Sequence, residues 1–131
     1  MSALSNYLEK SIVDHFLNAG AAIPQASNLY LGLYETNPQD DNSGQECNYQ
    51  GYSRKECSWT ILQGNQTTSN AEGITFDAKQ DGDDVIVYYA AVFNDSVAGE
   101  LLFYGQLAKP KTLGQNDVIA FAAGAITLSL F

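Results

Sequence analysis

The chain has 131 residues, 45% of them hydrophobic, which is enough for one domain with one hydrophobic core. Fifteen acidic residues against six scattered basic ones give a net charge of −9, which argues against binding to the phosphate backbone of nucleic acids. No run reaches the ~18 apolar residues of a membrane helix, and no basic, apolar leader opens the chain, so we expect cytoplasmic synthesis and no membrane contact.

Residues 5–18 carry the pattern of an amphipathic helix. Apolar side chains recur along it and form one stripe, made of Leu4, Leu8, Ile12 and Phe16 and widened by Val13 and Leu17. Either Ser2 or Ser5 can serve as the N-cap, and Gly20 is a plausible end. We expect the stripe to be buried, against a sheet or against a neighbouring subunit.

After this helix, the apolar residues recur at every second position. Leu residues alternate with other residues over 29–34, which is typical of a half-buried strand, and Asn37-Pro38 ends it. Residues 37 to 51 form the most polar stretch and predict a long surface loop.

The remaining sequence predicts further short strands, at 57–62, 74–76, 85–92, 101–107, 118–122 and 125–130. The run from Val85 to Val92 is apolar on both faces and indicates a central strand, whereas Lys109-Pro110-Lys111 should end the strand that begins at Leu101. About seven strands with turn signals at regular spacing favour a mainly β fold, a compact antiparallel sandwich or barrel-like domain. We expect a single domain over 1–131, with the N-terminal helix in 1–20 and the sheet region in 28–131.

Two cysteines, Cys47 and Cys57, lie ten positions apart in a polar region. Thiols made in a cytoplasm are usually reduced, so two free thiols are the favoured interpretation, while a disulfide bridging this short loop stays open. A metal site is the least favoured alternative, because structural zinc usually takes four ligands.

Residue patterns that carry catalysis are missing from the sequence. His15 is the only histidine and lies on the predicted helix without a motif around it. The densest acidic group, Asp77 with Asp81, Asp83 and Asp84, lacks the spacing of a calcium-binding EF-hand loop, and no glycine-rich segment ends in the Gly-Lys-Ser/Thr of a phosphate loop. We predict no enzymatic activity, no metal and no cofactor.

Aromatic residues offer another kind of surface, because tyrosine combines apolar area with a polar tip. They can line a core edge, a subunit interface or a sugar-binding surface, and the sequence leaves these alternatives open. The residues chosen as candidates for docking or an interface come from the helix stripe and the aromatic set: Leu8, Ile12, Phe16, Tyr30, Tyr34, Tyr52 and Trp59.

Several segments of the second half carry a family resemblance. Residues 88–95 and 99–107 are YYAAVFND and GELLFYGQL, and residues 109–113 and 121–128 are KPKTL and FAAGAITL. In order and spacing they resemble a family of small bacteriophage virion proteins usually called phage tail fibre proteins. LYLGLY at 29–34 and GYSR at 51–54 are similar to the first half of that family, so the resemblance spans nearly the whole chain.

This resemblance implies a non-enzymatic structural protein of the virion, associated with the tail fibre or baseplate. Its implied partners are other phage virion proteins and further copies of itself, with a trimer favoured. A capsid decoration (cement) protein on the phage head is the first alternative, and a module that binds a host surface glycan is the second. Either way the protein would lie on the tail or capsid surface after synthesis in the host cytoplasm.

Overall fold

A computed structural model describes residues 2–18, 28–60 and 67–129 and shows a mainly β, sandwich-like fold with one N-terminal helix. The helix, α1, spans Asn6–Leu17. The strands are β1 Ser2–Leu4, β2 Leu29–Tyr34, β3 Lys55–Cys57, β4 Thr67–Ser69, β5 Ile74–Thr75, β6 Val85–Phe93, β7 Leu101–Leu113, β8 Ala120–Phe121 and β9 Thr127–Ser129. Within these described ranges, no helix is both long enough and apolar enough to cross a membrane.

Five strands form one antiparallel sheet in the order β1-β7-β6-β2-β3, and two short ladders, β4-β9 and β5-β8, complete the described strands. Strand β6 lies in the middle of the large sheet, between β7 and β2, which confirms the central strand that its two apolar faces predicted. The described residues hold nine strands where about seven were expected, because several are only two or three residues long.

Strand β7 corrects the sequence-based boundary at Lys109-Pro110-Lys111, because it continues to Leu113. Gln106 pairs with Tyr89 and Lys111 pairs with Val87, so residues 107–110 bulge out opposite a single residue of β6. A bulge interrupts the ladder, so a proline inside it does not have to supply an N–H to the neighbouring strand. The Lys-Pro-Lys segment therefore marks a bulge and not a strand end.

Other strands also begin or end at residues that differ from the predicted ones. The strand expected at 57–62 is β3, which begins earlier, at Lys55, and ends at Cys57, while residues 61 and 62 lie outside the described residues. The strands expected at 118–122 and 125–130 shorten to β8 and β9, and residue 130 lies outside the described residues too. Leu4 belongs to β1 and pairs with Phe103, although its spacing had placed it in the helix stripe.

The large sheet carries apolar side chains on both faces. One face holds the main core, which includes Leu31, Leu33 and Val92 and packs against Phe76 and Ile119 of the second layer. The other face carries a smaller buried cluster, formed by Tyr34, Ala91, Phe93 and Leu101 with Tyr89 and Tyr104 packed against it. Alternate residues of a strand point to opposite faces, and therefore β2 and β6 contribute to both cores.

A buried guanidinium fastens the polar loop to this smaller core. Arg54 donates from Nε and Nη2 to the two carboxylate oxygens of Glu46, at 2.9 and 2.8 Å, and its guanidinium lies 3.5 Å from the centre of the Phe93 ring. Its Nη1 donates to the backbone oxygens of Asp95 and Ala98, at 3.0 and 2.7 Å. One side chain thus joins the loop, strand β6 and the turn that follows β6.

Next to this ion pair, the Tyr52 side chain binds a backbone N–H group of β2. Its hydroxyl accepts a hydrogen bond from the Leu33 amide at 3.0 Å and donates one to Glu46 Oε2 at 2.6 Å. Burial, followed by the hydrogen bond to Glu46, raises the pKa of Tyr52 well above its usual range. Gly32 lies beneath this network, and a Cβ there would meet Glu46 Oε2 at 3.0 Å and the Tyr52 oxygen at 3.2 Å.

Cys47 and Cys57 are both free thiols in the structure, and both are buried in the main core. Burial raises the pKa of Cys47 to about 12 and that of Cys57 to about 11. Because the thiolate is the reactive form, both side chains should be inert in the folded protein.

We expect Gly32→Ala to destabilise the protein by about 1–3 kcal/mol, because the added methyl group must displace the Glu46 carboxylate or the Tyr52 hydroxyl. Gly73→Ala is the matched control, since its Cβ would make only an ordinary contact at 3.6 Å. Urea denaturation of both variants measures the effect. Equal midpoints for the two would contradict the close packing described at Gly32.

The thiols lead to a second prediction. In the folded protein at neutral pH, neither Cys47 nor Cys57 should take up iodoacetamide, because both are buried and protonated. After unfolding in guanidinium without reductant, intact mass should rise by two alkyl groups. A protein that takes up no label even when unfolded would show a disulfide instead of two free thiols.

Candidate assembly surface

Ser5 fixes the start of α1 to the edge of the large sheet. Its backbone N–H donates to Leu102 O at 2.9 Å, and its hydroxyl donates to Leu101 O. The same hydroxyl oxygen accepts from the Leu8 amide at 3.2 Å, so Ser5 is the N-cap, as one of the two sequence alternatives predicted. The side chain is buried, which makes it both a cap and an anchor to β7.

A second contact holds the first turn of the helix over the smaller core. The Asn6 amide donates to Asp40 O at 2.8 Å, and the Tyr104 hydroxyl donates to the carboxylate of Asp40. Asp40 belongs to the polar loop, which Tyr34 also holds through a 2.5 Å hydrogen bond from its hydroxyl to Asn42. The start of α1 therefore has a defined position relative to β7 and the loop.

The far end of α1 is exposed. No helix residue is buried; Leu8 and Ile12 are half-buried, whereas Val13 is 45%, Phe16 71% and Leu17 77% exposed. Of the two surfaces that could bury the stripe, the sheet of the same chain does not cover this outer half, since the anchors seen among the described residues act on the first turn. Burial against a neighbouring subunit stays a prediction. We call Val13, Phe16 and Leu17 the helix patch.

Charged side chains border the helix patch. Glu9 is exposed in the first turn, while Lys10 and Asp14 form an i,i+4 ion pair on the surface. The hydrogen bond from Lys10 lowers the pKa of Asp14, so this carboxylate is ionised at neutral pH. The His15 ring lies edge-on to Phe16, with 4.6 Å between ring centroids. The patch is thus an apolar area with two carboxylates and one ammonium group at its border.

Most of the aromatic candidates lie inside the fold. Tyr34 is buried, Tyr52 is half-buried and holds the edge of β2, and Trp59 packs against the main core. Tyr30 is half-buried in β2, opposite Phe93 in the register. Among the candidates for docking, Phe16 is therefore the most accessible, and it lies beside two residues, Val13 and Leu17, that sequence reasoning placed in the stripe but did not select.

The acidic segment around 81–84 is organised by a buried lysine. The Lys79 ammonium group donates to Gly82 O at 2.9 Å and to Gln80 O at 3.2 Å, and the side chain is almost fully buried. Asp81 accepts a hydrogen bond from Gln115 Nε2 at 2.7 Å and is otherwise exposed, as Asp83 and Asp84 are. Across residues 2–18, 28–60 and 67–129, no group of three or more His, Cys, Asp or Glu is placed to hold a metal ion.

A protein-family model matches almost the whole chain. The model of the Gp80 family, described as podophage GP4 fiber I protein gp80, matches residues 3–129. No curated protein matches the chain. The match includes the helix, all the described strands except the first residue of β1, and the loop held by Arg54.

Proposed function

The chain belongs to the Gp80 family of podophage GP4 fiber I proteins, and from this we propose that it is a fibre module that docks onto other virion proteins, or onto further copies of itself, through the helix patch. Membership in a fibre family makes it a structural protein of a bacteriophage particle. The docking and the self-association are the parts that we add, and we propose that they involve no catalysis.

The observation that carries this proposal is a helix anchored at one end and exposed at the other. Ser5 and Asn6 are held by β7 and the polar loop, while Phe16 and Leu17 lie largely in solvent. A contiguous apolar area on an otherwise charged protein marks a contact surface, because its burial removes apolar area from water. Since the first turn is fixed, the patch is presented in a defined direction, which lowers the entropic cost of docking.

The two alternatives from the sequence receive less support. A fibre family favours a fibre or baseplate location over decoration of the head. A sugar-binding surface would need accessible aromatic rings, and Tyr34, Tyr52 and Trp59 contribute instead to the fold. The helix patch is an apolar area bordered by charged side chains, an arrangement that resembles the apolar core and polar rim of a protein–protein interface.

We expect the double variant Phe16→Ser/Leu17→Ser to fold normally and to lose particle incorporation. Both side chains are exposed, so the free energy of unfolding should change by no more than about 0.5 kcal/mol per site. The loss of two apolar contacts from the interface should lower incorporation by about tenfold or more. The measurement is the amount of tagged chain in phage particles purified after complementation.

Val97→Ser is the matched control, because Val97 is 77% exposed but lies in the turn after β6. It should leave incorporation unchanged. If the helix double variant entered particles as well as the control did, the helix patch would not be the docking surface.

A further inference from the structure

A second apolar surface lies on the main-core side of the sheet, beside the bulge of β7. It is an open cavity of about 460 Å³ between β7 and the segment that leads into β9. Its apolar wall includes Phe103, Leu107, Phe121, Ile126 and Leu128. A volume of this size lies within the range of about 300–1,000 Å³ found for pockets that bind small-molecule ligands, so it has room for a few apolar side chains. We call this surface the β7 groove.

The charge at the β7 groove is opposite to that of the chain. Four of the six basic residues are engaged within the fold: Lys10 with Asp14, Arg54 with Glu46, Lys55 with Asp77, and Lys79 with backbone carbonyls. The side chains of the other two, Lys109 and Lys111, make no ion pair or hydrogen bond within the described residues, and both residues line the groove. No acidic residue is among the described residues that line it.

We propose that the β7 groove of one copy receives the helix patch of a second copy, with Glu9 of that second copy near Lys109 and Lys111. This inference rests on the proposed function, to which it adds the partner surface for self-association. The patch offers apolar side chains next to an exposed carboxylate, and the groove offers an apolar wall next to two free ammonium groups. Apolar and electrostatic complementarity therefore coincide on the same two surfaces.

The helix patch and the β7 groove share no residue, and the proposed contact is head-to-tail: each copy offers its patch to one neighbour and its groove to another. The helix starts beside Asp40, whereas Phe103 and Leu128, which pack in or against the main core, line the groove. A contact between two different patches repeats from copy to copy and closes into a ring where the rotation allows it.

The competing arrangement, pairing of two β7 edges across a twofold axis, is disfavoured by the residues of the bulge. Strand β1 covers β7 only at Phe103–Gly105, so the edge beyond it could in principle add a strand. That stretch contains Lys109, Pro110 and Lys111, which would set like charges against each other and remove one backbone donor. Such residues protect an edge from self-pairing.

A mixing experiment tests the head-to-tail contact. The groove variant Lys109→Glu/Lys111→Glu keeps an intact helix patch, and the helix variant Phe16→Ser/Leu17→Ser keeps an intact groove. Light scattering after gel filtration should show an oligomer for the wild type and the 14.2 kDa monomer for each variant alone. An equimolar mixture should form a dimer and nothing larger, because only one of its two interfaces is intact.

Two further variants make the outcome specific. Lys109→Arg/Lys111→Arg should assemble as the wild type does, because it keeps the charge. Glu9→Lys, added to the Lys109→Glu/Lys111→Glu variant, should restore assembly by reversing both charges, which a misfolded groove could not do. Circular dichroism confirms that each variant is folded.

Several results would overturn the inference. These are a groove variant that stays oligomeric alone, a mixture that stays monomeric although the wild type assembles, and no recovery with Glu9→Lys. A wild-type chain that is monomeric at every concentration would overturn it too. Particle incorporation of the wild type and of the helix variant is measured separately, so the proposed docking function can stand when the head-to-tail contact fails.

Discussion

The arrangement of the fold depends on the hydrogen bonds that the buried Arg54 guanidinium makes. A guanidinium with 8% of its side chain exposed must find partners for its donors within the protein, and it finds them in Glu46 and in two backbone carbonyls of the turn after β6. Removing one partner of such a pair would leave a largely buried charge uncompensated, which typically costs about 3–5 kcal/mol. Because the partners lie on separate segments, this one requirement holds the loop, the central strand and the turn in a single arrangement.

The position of the helix follows from that arrangement. Glu46 pairs with Tyr34 in an isolated bridge, which ties the end of the polar loop to β2. The loop then presents Asp40, which accepts from the Asn6 amide and from the Tyr104 hydroxyl. Since Ser5 binds β7 at the same point, the first turn of α1 is fixed from two sides, while its last turn has no anchor among the described residues. An exposed apolar end is the physical result of anchoring a helix only at its start.

The sequence pattern within single elements was sufficient to predict the helix, its N-cap and the central strand. The period of the apolar residues located α1, Ser5 was one of two proposed caps, and the doubly apolar run identified β6 as central. The pairing of Leu4 with Phe103 and the continuation of β7 past Pro110 depend on strands distant in sequence, so no local signal revealed them. The bond between Arg54 and the 94–99 turn is non-local for the same reason. The candidate surface could be predicted only in part. The period of the apolar residues identifies the stripe on the helix, but it does not show which part of the stripe the sheet covers.

Charge gives a reason why an exposed apolar patch does not lead to indiscriminate association. Copies that each carry −9 repel one another, and at physiological salt this repulsion acts over about 8 Å. Close approach is then least unfavourable where the local charge is positive. Four of the six basic side chains are engaged within the fold, which leaves Lys109 and Lys111 as the place where an acidic partner meets attraction. Like charge thus restricts which surface can meet the helix patch, and apolar burial then holds the contact once it forms.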